Sequence, residues 1–186
     1  EPAPKTFVAD RAGVLDAGTE RQLIGLLQEL EQKTGCRLIV LTVETTGGQD
    51  IHQYAFERAD QWTFGPNRKS ASVLMVVAVK DRDYWTEVGY DHEGLLPDGY
   101  VGTVGRRIMR PAFRQGRYGE GILQAVAAMA GTVAEARNVK LTGMPVLPER
   151  VHIRPGGGLP LTRLLCPLAI IFMVISSLFG AGRHRR

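Results

Sequence analysis

Five acidic side chains fall where loop chemistry is plausible. Asp81 and Asp83 lie in the short polar connection Lys80-Asp81-Arg82-Asp83, and Asp91, Glu93 and Asp98 lie in the stretch 89–98. Loop carboxylates beside a glycine-containing backbone are the oxygen donors that a hard cation such as calcium or magnesium takes. The same residues also have an ordinary reading, in which Asp98 caps the next helix, Asp81 holds the turn and Asp91 is solvated. The two stretches leave opposite ends of one expected strand, so spacing alone does not join Asp81 to Asp98. A second feature is basic: Arg106, Arg110, Arg114 and Arg117 recur at three or four and share one side of a helix. Such a stripe is either a solvated face or a surface for anionic headgroups or an acidic partner.

Other chemistries find no support. The chain has no P-loop, dinucleotide fingerprint, nucleophile elbow or zinc-protease helix. His52, His92, His152 and His184 fall in a helix start, a loop, a linker and a basic tail, and read as surface histidines rather than a shared metal site. Cys36 belongs to the globule and Cys166 to an apolar end segment, so a disulfide, which needs α-carbons within about 7 Å, is not expected. No paired Cys or His spacing indicates zinc. The formal net charge is +4, and its excess lies wholly in Arg163, Arg183, Arg185 and Arg186. The remainder is neutral, which argues against nucleic acid as a partner, because phosphate binding needs a net basic face.

The elements that must carry these residues occupy 6–138. Asp16 starts a helix whose Leu23, Leu26, Leu27 and Leu30 recur at helical spacing, and Gly35 stops it. Arg37 to Val43 reads as a buried strand, and Asp50 with Gln53 opens a second helix in the manner of a capping box. Two apolar runs, Val73 to Val79 and Tyr84 to Tyr90, flank the polar connection and predict an antiparallel hairpin whose first strand is central. A third helix begins after Asp98 and buries Val101, Val104, Ile108 and Met109. A fourth uses Ile122, Val126, Met129, Val133 and Ala136. The order implies an α/β fold, an α/β/α sandwich on a mixed sheet of about four strands.

The ends point to a membrane. Residues 164–182 form an uncharged run of about 19 residues, roughly 28 Å as a helix, which matches a bilayer core. Leu164, Ile170, Phe172, Ile175 and Phe179 would face lipid or a partner within a span placed at 161–182, followed by a basic tail at 183–186. The stretch 139–160, rich in Pro and Gly, reads as a partly stiff linker. The opening Glu1-Pro2-Ala3-Pro4, an extension at 1–5, has the Pro-rich polar character common just after a removed signal peptide, and the terminal arginines favour a cytoplasmic C-terminus. The globule is therefore expected in the periplasm or outside the cell.

Several pieces resemble, in order, the TPM domain family. These are 8–15 (VADRAGVL), Trp62-Thr63-Phe64-Gly65, the strand from Val73 through Asp81-Arg82, Glu87-Val88-Gly89-Tyr90 with Glu93, Gly94 and Asp98, and 110–118 (RPAFRQGRY). The resemblance implies an exocytoplasmic α/β/α sandwich, often followed by one transmembrane helix and a Gly-rich or basic tail. Members include a thylakoid-lumen acid phosphatase, photosystem II repair proteins and an auxiliary subunit of acetylcholine receptors, and some bind calcium. Carried onto this chain, it singles out Asp10, Asp81, Arg82, Glu87, Tyr90, Glu93 and Asp98. Of these, Asp10, Asp81, Glu87, Glu93 and Asp98 are candidate ligands for calcium or magnesium, and Asp81, Arg82 and Asp98 are candidates for catalysis. Where the family commonly has Asn-Gly before the central strand the chain has Ala71-Ser72, and after Gly89-Tyr90 it has Asp91 in place of glycine. The expected function is an accessory, assembly or repair factor docked on an integral membrane complex, with no required cofactor. The alternative is a metal-dependent phosphatase acting at the membrane surface.

Overall fold

The computed structural model describes residue 4 and residues 6–62 and 72–145. In chain order the elements are β1 (Val8–Asp10), α1 (Ala17–Thr34), β2 (Arg37–Val43), α2 (Ile51–Gln61), β3 (Ser72–Ala78) and β4 (Asp83–Val88). A short α3 (Tyr90–Glu93) comes next, then α4 (Asp98–Val104), a π-helical turn (Gly105–Met109), α5 (Arg110–Phe113) and α6 (Tyr118–Ala136). The strands form one sheet in the order β1-β2-β3-β4; β1 and β2 run parallel to β3, and β4 returns antiparallel.

Alternation along the strands divides two cores. Leu38, Val40, Val73, Met75 and Val77 face α1, α4 and α6, whereas Ile39, Leu41, Leu74 and Val76 face α2 with Tyr54, Ala55 and Trp62. Because β2 and β3 are covered on both faces, they are apolar at nearly every position, as buried parallel strands must be. Each of the four fully buried leucines of α1 is worth about 1.5–3 kcal/mol in burial. Asp16 accepts from the amides of Gly18 and Thr19 at the start of α1, and Gly35 ends it at φ 75°, where a side chain would be strained.

The mixed sheet between helices agrees with the expectation from sequence, with four local differences. Val8–Asp10 is a strand, too short to show a period and fixed by its pairing to Val40–Thr42. Gln53 does not close a capping box, because its amide donates forward to Glu57 while Asp50 alone caps α2. Asp98 is not a cap: it is already the first residue of α4, and no side chain caps that helix. The stretch after β4 is not an open loop, since Tyr90–Glu93 coils into α3 with His92 beneath it. The linker beyond residue 145, the apolar span at 161–182 and the basic tail lie outside the described residues. Among the described residues no helix is long and apolar enough to cross a membrane.

Candidate functional site

The sheet positions a cleft of about 710 Å³ at its β4 edge, walled by β4 on one side and by α4, the π turn and α5 on the other. Arg82 from the hairpin turn and Arg106, Arg110 and Arg114 from the helical wall line it, so four arginines border one space. Asp83 and Asp98 are the carboxylates on the same lining. Tyr84, Phe113 and Tyr118 supply aromatic walls, with the Phe113 ring centroid 6.1 Å from Tyr84 and 4.7 Å from Tyr118. Below them Met75, Val104 and Met109 are buried.

Arg82, Arg110 and Arg114 make no ion pair or side-chain hydrogen bond among the described residues, while Arg106 donates to the Thr103 hydroxyl at 3.1 Å. Burial pushes the Tyr84 hydroxyl above its ordinary pKa of 10.0, and the positive charges of Arg110 and Arg106 oppose that rise. Asp83 is partly engaged, since it accepts from the Tyr84 amide at 2.9 Å. The cleft is thus electropositive over an apolar floor, a setting for an anion attached to an apolar or extended body.

Local structure explains this gathering. Arg82 sits at φ 55°, the left-handed region, as the last residue of the four-residue turn that lets Asp83 pair with Ala78. The π turn widens the helix where it passes β4, and there Gly105 lies against the Tyr84 ring. A β-carbon at Gly105 would come within 2.8 Å of the phenol oxygen and closer still to the ring. Such π bulges interrupt helices frequently at functional sites. The extra residue in the turn and the break at Gly116, φ 72°, also correct the expected stripe. Arg106, Arg110 and Arg114 share the cleft, but Arg117 lies past the break and pairs with Glu120 and Gln115.

The remaining candidates go elsewhere. Asp10 accepts from the amides of Val14 and Leu15 at 3.2 and 2.8 Å and from the Thr42 hydroxyl, so it fastens the loop after β1 to β2. Asp81 accepts from the Thr45 hydroxyl and from the amide and hydroxyl of Thr46, and these bonds, led by the Thr46 amide, lower its pKa. It ties the hairpin to the loop before α2. Glu87 accepts from the Trp85 indole on the α2 face. Glu93 lies on exposed α3, and Tyr90 beside it is 80% exposed. Asp98 shares the arginine cleft with Arg82, which spacing alone did not join. Among the described residues no three His, Cys, Asp or Glu side chains gather as a metal ion would require. The five candidate carboxylates therefore do not gather at one place.

One histidine is corrected as well. His92 is not a surface residue but is 3% exposed, and neither ring nitrogen makes a well-formed hydrogen bond among the described residues. His52 stacks on Trp85 with centroids 3.6 Å apart, at the α2 side of the cleft. Sequence reasoning passed over Tyr84 and Gly105 as site residues. The one available signal was the Gly-Arg-Arg run in mid-helix, where glycine needs a packing reason.

Fold and cleft together define a small three-layer α/β domain with an arginine-bordered sheet edge. The chain belongs to the TPM domain family, whose profile matches residues 8–132. Among solved structures, the N-terminal domain of a protein from P. gingivalis is similar at 28% identity. It has a TM-score of 0.68 over 72% of this chain and 85% of that one. Two others share the fold at lower identity. The N-terminal domain of the cg2496 protein of Corynebacterium glutamicum has 13% identity and a TM-score of 0.54 over 82% of this chain and 95% of that one. The BA42 protein of the psychrophilic bacterium Bizionia argentinensis has 18% identity and a TM-score of 0.56 over 72% and 95%. No curated protein matches the sequence.

Proposed function

We propose that the chain is a membrane-tethered accessory factor that docks on a larger membrane-protein complex by taking an anionic group of that complex into the arginine cleft. One observation carries this reading: Arg82, Arg110 and Arg114 border one cleft without a carboxylate partner of their own among the described residues. Guanidinium groups that share a cleft and make no ion pair of their own favour an external anion, and their fork geometry suits a carboxylate or phosphate. The apolar run at 161–182 would supply the tether, with the domain exocytoplasmic. Native purification of the full chain in mild detergent tests it. Membrane subunits should co-elute with the wild type and be lost from the Arg110→Glu/Arg114→Glu variant. A wild-type chain that migrates alone counts against docking.

A second reading, a phosphatase acting on phosphate esters at the membrane surface, draws on Asp83 and Asp98 bordering the same cleft as the arginines. Arginines would hold the phosphoryl oxygens and a carboxylate would serve the water or the leaving group. Phosphate release from a generic aryl ester, with and without added calcium or magnesium, separates the readings. Equal inertness of the wild type and Asp98→Asn would end this one.

A further inference from the structure

The cleft borders five successive residues, Arg82 to Thr86. Side chains along a strand alternate between the two faces of the sheet, so a space confined to one face would meet every second residue. This one meets Tyr84 on the α4 side and Trp85, stacked on His52, on the α2 side. It therefore runs along the backbone of β4 itself. That strand is the last of the sheet. The Gly89 amide donates to the Ser72 carbonyl at 2.8 Å just past the strand end. Hydrogen-bonded pairs alternate in an antiparallel ladder, so Trp85 and Glu87 also bond toward β3 while the backbone groups of Tyr84, Thr86 and Val88 point outward. The Tyr84 amide agrees with this direction, for it is taken by Asp83 rather than by β3. No backbone group among the described residues pairs with the outer side of β4.

Resting on the docking reading above, we propose that the anionic ligand is an extended acidic peptide that adds to β4 as a fifth strand. Main-chain bonds to Thr86 and Val88 would fix it, as in other strand additions, and the side chains would set specificity. Arginines lie on the α4 and α5 side of the edge, whereas the Trp85 and His52 pair lies on the other. Since a strand turns alternate residues to opposite faces, the recognised pattern is acidic at every second position, with apolar residues between.

Fluorescence anisotropy on the full chain in detergent tests this with labelled hexapeptides of valine and glutamate. The alternating sequence should bind about tenfold more tightly than the same residues in two blocks. N-methylating the backbone amides of one alternate set should weaken binding by about tenfold and of the other set scarcely at all, because only one set faces β4. The Arg110→Glu/Arg114→Glu variant should lose binding with an unchanged thermal unfolding midpoint. Arginine-dependent binding that ignores peptide order and both N-methyl sets would keep anion docking and overturn the fifth strand. Binding indifferent to the arginine reversals would overturn both, and no binding of any peptide would overturn the fifth strand alone. Self-association abolished by the arginine reversals would give the edge to a second copy of this chain, and the proposal would fail.

Discussion

Arg82 and His92 show how single residues carry stress that the rest of the domain holds in place. Arg82 occupies a left-handed backbone position at φ 55°, which costs a non-glycine residue about 1–3 kcal/mol. Arg82→Gly should therefore leave the thermal midpoint unchanged or slightly raised while removing one guanidinium from the cleft. Anion affinity should fall by up to about fivefold, the range set by one exposed charged contact. A melting curve and a peptide titration on the same sample check both halves. His92 carries a different stress. Burial holds its pKa below the ordinary 6.5, and neighbouring Asp91 offsets this only in part. The folded domain then binds fewer protons at this site than the unfolded chain, so its stability is full above pH 6.5 and declines below it. Urea unfolding at about pH 5.5 and about pH 7.5, on either side of the ordinary histidine pKa, should show that loss in the wild type, and His92→Leu should abolish this part of the difference.

At the scale of the element, the π turn is the device that sets the cleft. Without it, the run from Asp98 to Phe113 would continue as one α-helix and the arginines would fan at regular helical spacing. With it, Gly105 brings the helix backbone onto the Tyr84 ring, and Arg106, Arg110 and Arg114 converge on the β4 edge. Gly105→Ala should be destabilising by about 1–3 kcal/mol, the usual cost of overpacking, although alanine is the better helix former. Combining it with Tyr84→Ala should recover much of that loss, because the clash partner is gone. A double-mutant cycle in guanidinium chloride measures the coupling, and simple additivity would mean that the two residues do not press on one another. The hairpin is the matching device on the opposite wall, where Asp81 anchors the turn through Thr45 and Thr46.

For the whole molecule, the question is how the end of the domain is secured where the chain leaves it. Glu29 on α1 accepts from the amides of Thr142 and Gly143, the Thr142 hydroxyl and the Lys33 ammonium, and Lys33 also donates to the Lys140 carbonyl. The ammonium first and the amides next hold the Glu29 carboxyl down at about 2, against an ordinary 4.5. This strap is complete above pH 4.5 and is lost as the pH falls from there through about 2, since protonation removes the acceptor. Amide hydrogen exchange near neutral pH should find Thr142 and Gly143 protected in the wild type and free in Glu29→Ala, with α1 itself still protected. Equal protection in the variant would show that packing, not the carboxylate, holds the segment. The strap roots the start of the linker beside α1, so the chain leaves the domain from a fixed place.

What the sequence determined alone is what local chemistry and periodicity suffice to specify. The four leucines of α1, its Asp16 and Gly35 ends, the apolar strands and the hairpin are legible because each is decided by residues within a few positions of one another. Asp98 and Arg82 were legible as site candidates from their place in the family pattern, but not as neighbours, because the cleft that joins them is made by folding α4 back along β4. Only the tertiary structure could separate Arg117 from its three companions, bury His92, turn Asp10 from an open carboxylate into a loop fastener, and supply the partners of Asp81 in the loop before α2. In each case the deciding partner is distant in the chain or hidden in a backbone irregularity that no hydrophobic period records.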